Sequence, residues 1–323
     1  MTLDGASARG GPRAIAGGAG DLSEDAVLCL LKRLLASASD RRNRPAKRAV
    51  LLARFSRLLN GLLVMDRPPC ALRPNVVHAL RAEHDRVLHD EVLLDLGELG
   101  VDFVRWDQIS AADRDPQRTI FHDVVYPLVT PLVLDSTHPF PQLPGMSFNL
   151  GVFVYDQRRH TERFACVPLA EPLFGLGPLH GGFVRLGGGR LISVEMVVCA
   201  LLDDLFYGMQ VLEKSSFRVI RDDPSVQSIV LPARSITCLE VEQTMSERML
   251  DVLVGNLGVD PDAVFRARTP ISLAERMAAI SEVRRGRPCR QGWPDHRRYR
   301  GADRRVSVSA APSGSTALRP RRP

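Results

Sequence analysis

Five prolines within eighteen residues constrain this chain more than any other feature of its sequence. They are residues 127, 131, 139, 141 and 144, in the stretch "YPLVTPLVLDSTHPFPQLPGMSFNLGVFVYD" (126–156). Proline fixes φ and lacks a backbone N–H, so this density excludes both a regular helix and a central strand. The sequence therefore predicts a rigid, extended connector. It leads into a strand at 148–155, where apolar residues alternate.

Length and composition limit the class of protein. The chain has 323 residues, of which 45% are hydrophobic, enough for one or two domains with their own cores. No window approaches the roughly 20 consecutive apolar residues that a membrane-spanning helix needs, and the N-terminal stretch lacks the apolar centre of a signal peptide. We therefore expect a soluble, cytoplasmic protein without a membrane partner, and we expect residues 1–20 to be disordered.

Hydrophobic spacing predicts a helical region over residues 21–100. A short helix is expected to begin with Ser23 as its N-cap, a second covers the apolar stretch 49–65, and a long third helix covers 75–96. The linker between the first two helices carries a basic cluster of Arg41, Arg42, Arg44, Lys47 and Arg48. We expect this cluster to be a solvated linker rather than an anion site.

Residues 101–280 mix strands and helices. Besides the strand at 148–155, strands are predicted at 101–106, 163–169, 217–221, 228–231 and 235–241, and around the glycines at 187–189. Ser110 or Asp113 can cap one helix, and another begins with a capping box from Thr244 to Glu247 and ends at Gly258. Because strands and helices do not alternate regularly, the fold class is α+β, with a mixed, mostly antiparallel sheet and packed helices.

The positive charge of the chain is concentrated at its C-terminal end. Residues 284–323 contain twelve arginines and two aspartates, a local net charge of +10, whereas residues 1–283 together carry −4. The tail is rich in Arg, Pro, Gly and Ser and is expected to be disordered. Any binding of a polyanion must therefore depend on this tail or on a local patch.

The sequence contains no recognisable catalytic or metal-binding motif. The cysteines are scattered without a CxxC pair, so we expect buried free thiols: Cys29, Cys70, Cys166, Cys199, Cys238 and Cys289. His84 and His89 are five residues apart on a predicted helix and should not share a face well, which argues against a joint metal site. His138 is expected to bond locally to backbone. Gly187, Gly188 and Gly189 read as a turn, and the adjacent Asp203 and Asp204 do not form an acid/base pair.

One long run of the chain resembles a known family. The segment "RTIFHDVVYPLVTPLVLDSTHPFPQLPGMSFNLGVFV" closely resembles the head (middle) domain of the polyphosphate kinases that synthesise long chains, where a helix, a "P-x-L-T-P" turn, an "HPFP" element and an "S-x-N-L" strand follow in this order. Further similar stretches are "VRWDQIS", "LLDDLFYGM", "SFRVIRD", "CLEVEQTMSERMLDVLVGNLGVDPDAVF" and "ISL". They are collinear over roughly residues 76–273.

The resemblance implies a fold and an activity. Members of this family have an N-terminal helical domain, the head domain and two C-terminal catalytic domains. They transfer the γ-phosphoryl group of ATP to polyphosphate through a phosphohistidine, with Mg²⁺. Such a transfer needs the nucleophile, basic groups and a metal site together.

The chain departs from the family pattern in three places. Where the family has "SNLDEF", whose Asn contacts the nucleotide, the best fit puts Leu58 at that Asn and Asn60 at the Asp. The segment "DPSVQSIVLPARSIT" is too short for a helix that the family usually has. The similarity ends near Leu273, before the catalytic domains, and His296 in the tail cannot replace the phosphorylated histidine.

We therefore expect a truncated polyphosphate kinase homologue, with a degenerate helical region at 21–100 and a head domain at 101–280, inactive by itself. This expectation assigns no catalytic, cofactor-binding or metal-binding residue and no cofactor to the chain, although the family uses ATP and Mg²⁺. The alternative is a non-catalytic dimerisation module that pairs with itself or with a full-length polyphosphate kinase. A third possibility is that the basic tail, residues 284–323, binds a polyanion.

Overall fold

The computed structural model of the protein describes residues 24–65, 71–134, 140–169, 179–180, 182–221, 238–278 and 280. One compact unit spans residues 1–288, and every described residue belongs to it. Several sequence predictions lie outside the described residues: Ser23, His138, His296, the disordered segments 1–20 and 284–323, and the strand at 228–231.

The helical region is present as the apolar spacing predicts. Its helices are α1 (Glu24–Ser39), α2 (Pro45–Leu63), α3 (Pro74–Val87) and α4 (Leu93–Glu98), with a π-helical turn at Leu88–Val92 between the last two. Helix α2 begins earlier than its apolar stretch because a proline is tolerated at the first helical position. In the π turn, the Leu93 N–H bonds to the carbonyl oxygen of Leu88, five residues back.

Arg48 corrects the expectation of a fully solvated basic linker. Its side chain is completely buried. It donates to the carbonyl oxygen of Ala38 at 2.5 Å and to the carboxylates of Glu91 and Asp95. Residues 45–48 are thus the first turn of α2, and Arg48 joins α1 and α2 to the segment that follows α3. The basic composition of the linker predicted exposure of Arg48, but its partners in the folded structure bury it.

The middle of the chain begins with a short strand and a capped helix. The strand predicted at 101–106 shortens to β1 (Asp102–Phe103), and α5 spans Ala111–Ile120. Of the two candidate caps, Ser110 is the N-cap, because its Oγ accepts from the Asp113 N–H at 3.2 Å. A second π turn at Phe121–Val125 extends α5.

Two sheets follow, and their strands are mostly antiparallel. The strands are β2 (Leu132–Val133), β3 (Phe148–Asp156), β4 (Thr161–Leu169), β5 (Leu179–His180), β6 (Phe183–Arg185), β7 (Arg190–Ser193), β8 (Met209–Ile220), β9 (Cys238–Glu242) and β10 (Val264–Ala267). The larger sheet has the order β10-β9-β8-β3-β4-β2 and the smaller the order β1-β7-β6-β5. The pairs β10–β9 and β1–β7 are parallel, and the other pairs are antiparallel. The α+β class with a mixed sheet is confirmed.

Strand β3 is buried on both faces. Its alternating sequence is typical of a half-exposed strand, but Asn149, Gly151 and Phe153 are buried along with the residues between them. It pairs with β4 on one side and β8 on the other, so it is central in the sheet. Strand β8 starts at Met209, eight residues before the predicted strand, because it extends along the whole of β3.

The remaining helices are short. They are α6 (Val194–Ala200), α7 (Leu202–Leu205), α8 (Glu247–Leu257) and α9 (Leu273–Met277). The predicted capping box from Thr244 to Glu247 is wrong. The N-cap of α8 is Ser246, whose Oγ accepts from the Met249 N–H at 3.1 Å, while Thr244 donates to Glu242. The predicted end at Gly258 is confirmed, with φ of 64°.

The glycine cluster forms the expected turn. Residues Gly187–Gly189 connect β6 to β7, with Gly188 at φ 75° and Gly189 at φ 81°. Such positive values suit glycine, which has no Cβ to clash.

A shared hydrophobic cluster joins the helical region to the sheet region. It includes Leu31, Leu52 and Phe55 from the first helices together with Phe183, Phe265 and Met277. A second cluster lies between the larger sheet and α8, around Phe217, Val241 and Met249. Among the described residues, no helix is both long enough and apolar enough to cross a bilayer.

Candidate functional site

A cleft lies where α2 and α3 meet β9, β10 and the segment before α9. It contains about 530 Å³ of space, part of which is open to solvent. Its apolar walls come from Phe55, Leu59, Leu88, Phe265 and Leu273. Charged and polar side chains converge there from the same elements: Asn60, Arg81, His84, Asp85, His89, Glu240, Arg266, Arg268, Ser272 and Glu275. Apolar walls on which many polar groups converge make the cleft the candidate site.

Arg81 is at the centre of the polar network. Its Nη2 donates to Asn60 Oδ1 at 2.6 Å, its Nη1 lies 3.7 Å from Glu240, and its guanidinium stacks over the Phe265 ring at 4.4 Å. Burial lowers the pKa of Arg81, and the charge of Glu240 acts in the opposite direction. Arginine stays protonated even so, because its unperturbed pKa is above 12. The cation is thus held by an amide, a carboxylate and an aromatic face.

A second arginine completes the network from the sheet. Arg218, on β8, is almost fully buried and lies 3.2 Å from Glu275 and 3.8 Å from Glu240. It also contacts the hydroxyl of Ser272, which itself donates to Glu240 at 2.6 Å. Glu275 accepts from Asn60 Nδ2 at 2.7 Å. Each carboxylate of this network therefore has an arginine partner and one further donor.

His84 is a half-buried, neutral imidazole on the wall of the cleft. Its ring stacks on Phe55 with 5.2 Å between centroids, and its Nε2 lies 3.0 Å from Ser56 Oγ. Burial, and after it the nearby positive charge of Arg81, lower the pKa of His84 to about 4. The ring is neutral at physiological pH.

His89 takes part in a charged cluster at the mouth of the cleft. It lies 3.5 Å from Asp85, and Arg268 contacts Asp85 at 3.1 Å and Asp90 at 2.5 Å. Burial raises the pKa of Asp85 and lowers that of His89, while the hydrogen bond from Arg268 lowers the pKa of Asp90. Arg268 thus links the segment after β10 to the end of α3.

The structure corrects one argument about these histidines. The spacing of five residues predicted that His84 and His89 would not share a face, yet both line the same cleft. The π turn that starts at Leu88 has bonds five residues long, which brings a residue five positions on towards the same side. No group of three or more His, Cys, Asp or Glu in the described part of the chain could hold a metal ion.

Leu58 and Asn60 lie in different surroundings. Leu58, at the position that the resemblance assigns to a nucleotide-contacting Asn, is half-buried and packs against the helical core rather than lining the cleft. Asn60 is buried and belongs to the network with Arg81 and Glu275. Sequence reasoning missed Arg81, Glu240 and Glu275 as members of one site, because they are far apart in the chain and belong to no motif.

The other candidate residues lie elsewhere. Asp204 lies 3.2 Å from His122 Nε2, and Asp203 is exposed. Of the cysteines within the described residues, Cys166 and Cys238 are buried, which raises their pKa to about 12 and about 11, whereas Cys199 is half-buried. The expectation of burial is wrong for Cys29, which is exposed on α1. Cys70 and Cys289 lie outside the described residues.

The cleft does not fit Mg²⁺ or the phosphates of a nucleotide. Its carboxylates Asp85, Glu240 and Glu275 each contact an arginine, so within the described ranges they are already neutralised. Mg²⁺ binds through carboxylates that are free to coordinate it. A phosphate group would have to compete with these carboxylates for the arginines. The residues present form a closed network of ion pairs instead.

Comparison with known proteins gives matches over part of the chain. Residues 112–225 match the family model of the polyphosphate kinase middle domain. The polyphosphate kinase of Streptomyces coelicolor is 31% identical over 209 residues, which cover 60% of this chain and 27% of that protein. The polyphosphate kinase of Mycobacterium marinum is 34% identical over 212 residues, which cover 58% of this chain and 28% of that protein. The chain thus spans less than a third of the length of these relatives.

A solved structure has the same fold. The crystal structure of polyphosphate kinase from Porphyromonas gingivalis aligns with a TM-score of 0.66 and 19% sequence identity, over 85% of this chain and 43% of that chain. At this identity the alignment supports the fold alone. Most of the cleft, including Asn60, Arg81 and Glu275, lies outside residues 112–225, so the family model assigns no role to it.

Proposed function

We propose that this chain, which is similar to polyphosphate kinases and matches their middle domain over residues 112–225, supplies a non-catalytic part of such an enzyme. The family reaction transfers a phosphoryl group from ATP to polyphosphate, which gives ADP and a polymer longer by one unit. These 323 residues by themselves do not catalyse it. The cytoplasm is the proposed location, and cell fractionation tests that part of the proposal.

The ion-pair network of the cleft carries this proposal. A phosphoryl group in transfer needs cations and a metal to neutralise its charge and a nucleophile within reach. In the described part of the chain, Arg81 and Arg218 are neutralised by Glu240 and Glu275. The His84 imidazole is stacked on Phe55 and hydrogen-bonded to Ser56, so it is not placed to accept a phosphoryl group.

An assay of the purified chain tests the proposal. The chain is incubated with radiolabelled ATP, Mg²⁺ and a short polyphosphate primer, and the full-length Streptomyces coelicolor polyphosphate kinase is the positive control. We expect no elongated polymer and no acid-labile phosphate on the protein. Elongation by the chain alone, or a phosphoramidate on any of its histidines, would overturn the proposal.

A second candidate function is association with another copy or with a full-length polyphosphate kinase. The observation in its favour is exposed apolar surface on the middle domain: Tyr207 is 94% exposed, Tyr126 45% and Leu128 44%. Exposed aromatic side chains of this kind are enriched at protein interfaces. Light scattering after size exclusion tests association, with Tyr207→Ser as the variant and Leu94→Ser, on the helical region, as its control. A chain that is monomeric and does not bind the full-length enzyme would exclude this function.

A further inference from the structure

The hairpin of α1 and α2 is strongly basic. Residues 24–65 contain nine lysines and arginines against three carboxylates, a net charge of +6, whereas residues 66–283 carry a net charge of −10. Eight of the nine cations are exposed: Lys32, Arg33, Arg41, Arg42, Arg44, Lys47, Arg54 and Arg57. The ninth is the buried Arg48. Together the eight exposed side chains form what we name the basic surface.

Most cations of the basic surface have no carboxylate partner in the part of the chain that the structure describes. Arg42 lies 3.0 Å from Asp40, Lys47 donates to Asn43 Oδ1 at 2.8 Å, and Arg57 donates to the carbonyl oxygen of Glu275 at 3.3 Å. The side chains of the other five make no hydrogen bond or ion pair within the described residues: Lys32, Arg33, Arg41, Arg44 and Arg54. This is the reverse of the cleft, where each arginine is matched by an acid.

The helices arrange these cations as a row rather than a pocket. Lys47 and Arg54 are seven residues apart, so they lie on the same side of α2, about 10 Å from each other along its axis. Arg44, the N-cap of α2, extends the row at one end. Arg33 lies on α1, which the short turn through Arg41 places beside α2. An extended ligand fits such a row better than a small one.

The chemistry of the basic surface indicates a polyanion without bases. Uncompensated cations bind a polyanion by releasing its condensed counterions, which needs no pocket. Proteins that bind single-stranded nucleic acid add aromatic platforms on which bases stack. Phe55 is the single aromatic residue of segment 24–65, and it is buried, so this surface has no such platform.

We propose that the basic surface of α1 and α2 is a binding site for inorganic polyphosphate. The choice of polyphosphate rests on the proposed function, whereas the existence of a polyanion site rests on charge and exposure alone. The site is separate from the cleft, where the cations are neutralised. It would hold the polymer along the protein without taking part in phosphoryl transfer.

Two variants of equal charge test this site in the full chain. The test variant is Arg33→Gln with Arg44→Gln and Arg54→Gln, and the control is Arg118→Gln with Arg158→Gln and Arg159→Gln, which are exposed residues elsewhere. Binding of polyphosphate of defined length is measured without nucleotide over a range of salt concentrations, so that any contribution of residues 284–323 is the same in all proteins.

We expect the test variant to bind at least about tenfold more weakly than the wild type. The slope of log K against log salt should fall by about 2, since each lost phosphate contact removes roughly 0.7 from it. The control should bind within about twofold of the wild type. If the test variant loses its helical circular dichroism, Lys32→Gln with Arg54→Gln replaces it.

Each other outcome overturns the proposal. Equal losses in both variants would mean that net charge alone binds the polymer, and no loss in either would place binding on another segment. An RNA oligomer with the same number of phosphates and anionic vesicles are tested as competing ligands. If either binds the basic surface as tightly as polyphosphate does, the surface belongs to that other class of partner. Because no ATP is used, this result is independent of the assay of phosphoryl transfer, and failure of one is distinguishable from failure of the other.

Discussion

Asn60 and Arg81 are joined by a hydrogen bond of 2.6 Å from Arg81 Nη2 to Asn60 Oδ1. Asn60 Nδ2 in turn donates to Glu275 Oε1 at 2.7 Å. A buried side-chain amide can accept from a cation and donate to a carboxylate at the same time, and neither Asp nor Leu can do both. Asn60 therefore ties α2 to α3 and to α9.

The first prediction concerns this triad. Asn60→Asp removes the donor to Glu275 and places two carboxylates together, so we expect it to lower the free energy of unfolding by about 1–3 kcal/mol. Adding Glu275→Gln to this variant places the amide donor of Gln opposite the carboxylate of Asp. The double variant should then lose at least about 1 kcal/mol less than the sum of the single losses, measured by urea unfolding. Strictly additive losses would contradict the described contact.

The second prediction concerns the buried guanidinium of Arg48. Arg48→Met fills the same space but leaves Glu91 and Asp95 without their shared cation, so we expect a loss of about 3 kcal/mol. Arg41→Met is the control, because Arg41 is exposed and should change stability by less than about 0.5 kcal/mol. Similar urea midpoints for the two variants would show that Arg48 is solvated, as the local sequence suggested.

The third prediction is a pH dependence. The pKa of His84 is about 4 in the folded protein and about 6.5 in the unfolded chain, so the unfolded chain binds the proton first as the pH falls. The contribution of neutral His84 is complete above pH 6.5 and is lost between pH 6.5 and 4, with a total of about 3 kcal/mol. His89, whose pKa is also lowered, acts in the same direction.

His84→Phe isolates this effect. Phenylalanine keeps an aromatic ring against Phe55 and cannot be protonated, so the variant should lose less stability than the wild type between pH 6.5 and 4. Unfolding in urea at several pH values gives the comparison. Parallel curves for the two proteins would mean that His84 is accessible to protons in the folded state.

The fourth prediction uses two glycines of α8. Gly258 ends the helix at φ 64°, so Gly258→Ala should cost about 1 kcal/mol although no atom of the described residues lies within 4 Å of the new Cβ. Gly255 lies inside the helix, also with open space around it, and Gly255→Ala should add about 0.5–1 kcal/mol. Thermal unfolding of the two variants should give shifts of opposite sign, and shifts of the same sign would refute the assigned helix end.

The fifth prediction distinguishes the two possible caps of α8. Ser246→Ala removes the oxygen that accepts from the Met249 N–H and should cost about 1 kcal/mol. Thr244→Ala removes a hydroxyl that contacts Glu242 at the surface and should cost less than about 0.5 kcal/mol. A larger loss for the Thr244 variant would support the capping box that the sequence suggested.

Local signals in the sequence determined most of the secondary structure. Apolar spacing located α1, α2 and α3, and glycine located the end of α8. Each of these signals depends on a few neighbouring residues, whose φ preferences and spacing act wherever the segment lies. Two predictions failed because a few neighbouring residues do not determine the outcome. At Thr244 the choice was between two hydroxyls that can cap α8, and at β8 the length of the strand depends on its pairing with β3.

Within the described residues, the tertiary structure alone decided the partners of the charged groups. Arg48 meets Glu91 and Asp95 more than 40 residues away, and Arg81 meets Glu240 across about half of the chain. A charge carries no local signal of its partner, because the partner is set by how the chain packs. The sequence therefore showed how much charge segment 24–65 carries, whereas only the packing showed that Arg48 is neutralised and that the other cations of that segment remain at the surface.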